Sequence, residues 1–175
     1  MIKSILITHL FILSIICTAT GQSDWLEYKE KNKYRVQYPA DWEINTSGIM
    51  GTTFFIFSPV VSTEDQFREN VNFMIQDLGN TKMTLSDYTN LSIKQIQSII
   101  TDAQVVENKT EIKDGKEFQK VIYTGKQGVF ALKFEQYYWI IKDKAYLLTF
   151  TCEEDQFDEY KATGERIMNS LTLLK

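Results

Sequence analysis

Imidazole and thiolate carry most of the nucleophilic and metal chemistry open to a protein, and this sequence has one histidine, His9, and two cysteines, Cys17 and Cys152. A Ser/His/Asp or Cys/His triad needs a base beside its nucleophile, and a zinc site built from His and Cys needs three or four such ligands. His9 and Cys17 share an apolar N-terminal run far from Cys152, so neither arrangement is written here. Phosphate-cradling loops announce themselves as GxGxxG or GxxxxGK[ST], and neither pattern occurs.

Carboxylates remain. Glu153-Glu154-Asp155 with Asp158 and Glu159 is the densest acidic cluster, and in principle offers oxygen ligands to calcium. Its spacing does not fit a calcium-binding loop. The simpler reading places these acids at a helix N-terminus, favouring the dipole and capping free N–H groups. Glu69-Asn70 sets an acid beside an amide at a strand entrance. There Asn70 and Asn72 are expected to bond neighbouring backbone and fix a corner rather than to catalyse. Cys152 is followed by Glu153 and Glu154, with no Lys, Arg or His adjacent, which describes a small core residue and not an activated thiol.

Tyr137 and Trp139 are the candidate interaction surface. A strand sends alternate side chains to opposite faces. If helices cover one sheet face only, these two rings stand exposed for a partner. If helices cover both faces, the rings are core.

The elements that must hold these groups follow from periodicity. Trp25–Tyr28 and Tyr34–Tyr38, joined by Lys31-Asn32-Lys33, predict a hairpin, and Pro39 is expected to stop it. Thr52–Ser58 predicts a strand apolar on both faces, and 70–78 alternates with Val71, Phe73 and Ile75 on one side. Helix spacing over 84–102 puts Leu85, Tyr88, Ile93, Ile96, Ile99 and Ile100 on one stripe, behind a Thr84…Asp87 cap. Strands are expected over 105–112, 118–123, 129–141 and 146–152. The turns between them are Asp114-Gly115, Gly125–Gly128 and Lys142–Lys144, and connections this short imply an antiparallel meander. A last helix, 155–170, carries Gly164 within its apolar stripe, which suggests close approach to the sheet. The expected fold class is α+β: an α/β/α sandwich with a central antiparallel sheet and two main amphipathic helices.

The N-terminus has its own logic. Lys3 precedes a nearly unbroken Ile/Leu/Phe run from Ile5 to Ile16, and Ala19 and Gly21 then sit at alternate positions. That is the pattern of a cleavable signal peptide over residues 1–21. A twelve-residue helix reaches about 18 Å against a hydrocarbon core of about 30 Å, too short for a stable membrane span. Lipid attachment at Cys17 is disfavoured because Ile15 and Ile16, not small residues, precede it; were it to occur, the product would be membrane-associated. Export as a periplasmic or secreted protein is the expectation. Cleavage leaves 175 − 21 = 154 residues, one domain over 22–175, with 18 Lys+Arg against 23 Asp+Glu once Lys3 is gone. A net charge near −5 offers no footprint for nucleic acid.

The stretch Tyr34-Arg-Val-Gln-Tyr-Pro-Ala-Asp-Trp42 resembles the opening of the PsbP-like domain. Phe67-Arg-Glu-Asn-Val-Asn72 running into Phe73–Leu78 is similar to a second hallmark of that superfamily. The Thr84-Leu-x-x-Tyr88 helix start and Ala145-Tyr-Leu-Leu-Thr149 follow in the expected order. The resemblance spans nearly all of the chain after the leader. It implies an exported bacterial member of the PsbP-like and DcrB-like superfamily, which includes the Ran-binding Mog type. It also implies an accessory, non-catalytic role with a protein partner in the envelope or extracellular space and no cofactor. Two other roles fit the residues: a calcium-dependent module or enzyme built on the Glu153–Glu159 acids, and a structural envelope protein.

Overall fold

The computed structural model describes residues 24–174; the leader read over 1–21, and Cys17 with it, lies outside the described residues. The hairpin forms as β1 (Trp25–Glu30) and β2 (Tyr34–Pro39), turning through Asn32 at φ 60. Pro39 is the last residue of β2 rather than its stop, a position at a strand end where its missing N–H is tolerated. This hairpin does not join the main sheet. It forms a separate three-stranded sheet, β1-β2-β10, closed by the short β10 (Thr172–Leu173) at the chain's end. Two residues of strand give no periodicity to detect, so β10 leaves no trace in the sequence pattern.

The main sheet has seven antiparallel strands: β3 (Glu43–Asn45), β4 (Phe54–Phe57), β5 (Asn70–Asp77), β6 (Thr101–Lys113), β7 (Lys116–Gln127), β8 (Phe130–Ile141) and β9 (Lys144–Glu153). Their order is β3-β4-β5-β9-β8-β7-β6. The last four strands in sequence form the expected meander, which places β9 against β5. Asp114-Gly115 makes its tight turn with both residues at positive φ, as a two-residue hairpin loop requires. The stretch 125–128 behaves differently: β7 runs through Gly125 to Gln127, and only Gly128 and Val129 turn. Gly125 is there for space. A β-carbon on it would overlap Ile100 Cγ2 and lie 3.0 Å from the carbonyl oxygen of Thr101.

Helix α1 (Leu85–Ile99) packs on β6, β7 and β8, and helix α2 (Phe157–Ser170) packs on β9, β5 and β2. The two helices cover opposite faces. Tyr88 and Ile96 of α1 share a core with Val121, Tyr123, Leu132, Phe134 and Tyr138. Phe157, Ile167 and Met168 of α2 share the other with Val71, Phe73, Leu148, Phe150 and the hairpin's Tyr34 and Val36. Full burial of such side chains contributes about 1.5–3 kcal/mol each. Ile99 leaves the expected stripe: it is 75% exposed, because the helix ends there and the chain turns into β6 two residues on. Among the described residues no helix is long and apolar enough to cross a membrane.

Candidate binding groove

Tyr137 and Trp139 are only 4% and 5% exposed. Both point to the α2 face, where Phe118 packs on them at centroid separations of 4.8 and 5.3 Å. With a helix on each face, these rings are core, and an interaction surface has to be sought elsewhere. Beside them Glu135 is fully buried. Its Oε1 accepts from Lys120 Nζ and from the Tyr137 hydroxyl, both at 2.8 Å, while Oε2 has no partner among the described residues. Burial first, and the Glu135 charge second, push the Tyr137 phenol far above its ordinary value, so it stays a neutral donor.

The other singled-out residues settle into structural positions. Cys152 is fully buried, and its thiol points to Glu69 Oε1 at 3.8 Å. Burial raises the thiol's pKa most, with Glu69 next; Glu153 and Asp155 add to it. Glu69 itself is 2% exposed and accepts from Ser58 Oγ at 3.2 Å. Burial holds its carboxyl above the usual range, against the opposing pull of its hydrogen bonds. Of the acidic cluster, Asp158 and Glu159 lie in the first turn of α2, where the dipole favours them, but Gln156 is the N-cap and no side chain caps the helix. Among the described residues no three acid or thiol groups converge on a point where a metal ion could sit.

What the structure does assemble lies on the α1 face. Because α1 covers β6, β7 and β8, the strip made by β4, β5 and β9 is left open beside it. A groove of 370 Å³ runs there. Its floor is a ladder of uncharged polar groups crossing three neighbouring strands: Asn70 and Asn72 on β5, Thr151 and Thr149 opposite them on β9, and Gln136 opposite Thr149 on β8. Phe55, Phe67, Tyr123 and Phe134 add aromatic walls, Met50, Met74, Ile100 and Leu147 add further apolar lining, and no lining residue is charged.

The ladder is held by its own bonds. Asn70 Nδ2 donates to the Arg68 carbonyl at 3.1 Å, the corner-fixing bond expected of it. Asn72 instead donates to Asn70 Oδ1 at 3.3 Å. Gln136 Nε2 donates to Thr149 Oγ1 at 3.1 Å, and its Oε1 accepts from the Tyr138 hydroxyl. These bonds hold the side chains of the ladder in fixed orientations. Gln136, Thr149 and Thr151 escape a motif search because nothing about them is rare. Their signal is alternation: polar side chains at 149 and 151 between the buried Leu148, Phe150 and Cys152.

A second, larger cavity of 710 Å³ opens between the two sheets, bordered by Tyr28, Tyr34 and Tyr146. Its two cations are already engaged: Lys33 with Glu30 at 3.4 Å and Lys144 with Asp77 at 3.1 Å. Its tyrosines are pushed upward by burial where they shift, Tyr34 to about 12.

The architecture is that of a helix-flanked antiparallel sandwich carrying a neutral groove. The chain has the PsbP-like fold. The cyanobacterial PsbP (CyanoP) of Synechocystis sp. PCC 6803 is similar over 90% of this chain and 96% of its own, at a TM-score of 0.65 and 16% identity. LpqN of Mycobacterium tuberculosis, a protein involved in cell envelope biogenesis, matches over 86% of this chain and 92% of its own, at 0.62 and 10%. PA94 of Pseudomonas aeruginosa, of unknown function, matches over 85% and 96%, at 0.60 and 11%. At such identities the likeness is one of fold. No family model matches the sequence, and no curated protein does.

Proposed function

We propose that this chain is an exported, non-catalytic accessory protein of the PsbP-like type, working in the periplasm or outside the cell. In this reading residues 1–21 are removed, 22–175 act as one domain, and the domain works by binding a partner. The leader pattern, the fold it shares with envelope-related LpqN, and the mildly acidic net charge support it. The observation that carries it is the groove. It offers amides, hydroxyls and aromatic rings beside aliphatic side chains, whereas the buried thiol and tyrosines are pushed away from their reactive, ionised forms.

Affinity capture from the envelope of the exporting cell tests this. Wild-type protein is expected to retain a specific component that Asn72→Ala and Thr151→Val proteins do not. Identical retention by wild type and both variants, or none by any, would remove the reading.

A further inference from the structure

The chemistry of the groove specifies its ligand more narrowly than its position does. We infer that it is a carbohydrate site, taking an uncharged oligosaccharide; this rests on the groove being the binding element proposed above. Three features of the floor carry the inference.

The first is neutrality. None of the lining residues is charged, so an anion would find no counter-charge and a cation no carboxylate. Second, the floor supplies donors and acceptors side by side. Each primary amide presents both functions, and Thr hydroxyls do the same, which is what the adjacent hydroxyls of a sugar ring require. Asn70, Thr149 and Thr151 are only 8%, 7% and 7% exposed. Both threonines line the groove, where a hydroxyl can donate and accept at once. Aromatic walls complete the set, since the C–H face of a pyranose packs on a ring. Phe55, stacked on Phe57 at 5.0 Å, and Phe67 supply such rings.

The third feature separates a sugar from a peptide. An extended peptide gains most of its affinity by adding to a sheet edge through main-chain bonds. Strands β5, β9 and β8 beneath the groove are interior, each paired on both sides, so their backbone offers nothing. Recognition here has to run through side chains alone, and a volume of 370 Å³ lies at the small end of ligand pockets.

The test is an NMR titration of the Gln22–Lys175 protein with cellotriose, maltotriose and chitotriose, and with trigalacturonate as the charged control. At least one neutral trisaccharide is expected to move the side-chain amide signals of Asn70, Asn72 and Gln136, with a Kd of about 1 mM or tighter. Trigalacturonate is expected to leave them in place. Thr151→Val, which removes one hydroxyl at constant shape, should weaken binding roughly fivefold to tenfold, and Asn72→Ala at least as much, with wild-type-like spectra elsewhere confirming the fold. Silence from all three neutral sugars, or equal binding of the charged one, overturns the inference. If the sugars fail while envelope capture still depends on Asn72 and Thr151, the binding reading stands and the carbohydrate assignment alone falls.

Discussion

Gly164 of α2 lies flat on the ring of Phe150 in β9: a β-carbon at position 164 would stand 2.7 Å from Cε1 and Cζ of that ring. The ring cannot yield easily. Phe150 is fully buried, with Phe157 at a centroid distance of 5.7 Å. Gly164→Ala gains about 1 kcal/mol of helix propensity but overpacks the core, which costs about 1–3 kcal/mol. The variant is expected to be less stable than wild type in urea unfolding, and Phe150→Leu in the same chain should recover part of the loss. A more stable Gly164→Ala protein would mean that helix and sheet are not seated this closely.

Lys120 and Glu135 form the other demanding contact. Among the described residues Lys120 is the only cation on Glu135, whose second oxygen already lacks a partner. Removing one member of a buried pair typically costs about 3–5 kcal/mol, because the other charge stays behind. Lys120→Met is therefore expected to destabilise by that order. Adding Glu135→Gln should restore a large part of it, since the orphaned charge is gone. A double-mutant cycle in guanidinium unfolding measures this, and additive losses would refute the pairing argument.

The contrast between these two contacts shows where sequence is informative. Gly164 was readable because a glycine inside an apolar helical stripe breaks a local preference. The meander, both helices and the Asp114-Gly115 turn were readable for the same kind of reason: period and turn chemistry are local. Glu135 was not, because its neighbours in sequence say nothing of Lys120, which a strand register brings to it. The groove is a register effect as well. Asn70, Thr151, Thr149 and Gln136 come from three strands, and each is an ordinary residue on its own. Tyr137 and Trp139 hung on whether the second face was covered, which no strand pattern decides, and nothing in the hairpin's own pattern says that it stays out of the main sheet.

Thr84 makes a falsifiable local case. Its Oγ1 accepts from the Asp87 amide at 3.1 Å, and Asp87 Oδ2 accepts from the Thr84 amide at 3.2 Å, a complete capping box despite Asp in place of Glu. Thr84→Ala should cost about 1 kcal/mol, and Thr84→Ser far less. Hydrogen exchange should report faster opening of the first turn of α1. Unchanged exchange there would show that packing of Leu85 and Tyr88, not the cap, holds the helix start.

Glu69 sets a pH dependence with a definite sign. Burial raises its carboxyl pKa in the folded chain, and the neighbouring acid Asp65 adds to the effect. The folded state therefore holds the proton over a window where the unfolded chain has released it. The stability that comes from burying a neutral Glu69 is fully present below the unfolded value and is lost as pH rises through the folded one. Glu153 is also raised, by burial and then by Glu69, and contributes in the same direction. Glu69→Gln removes one titration while keeping an oxygen to accept from Ser58. The stability of wild type relative to this variant is expected to fall as pH climbs from the carboxylate range toward neutrality, read as a widening gap between their urea midpoints. Parallel profiles would mean that Glu69 ionises alike in both states, and that the Ser58 and backbone bonds outweigh its burial.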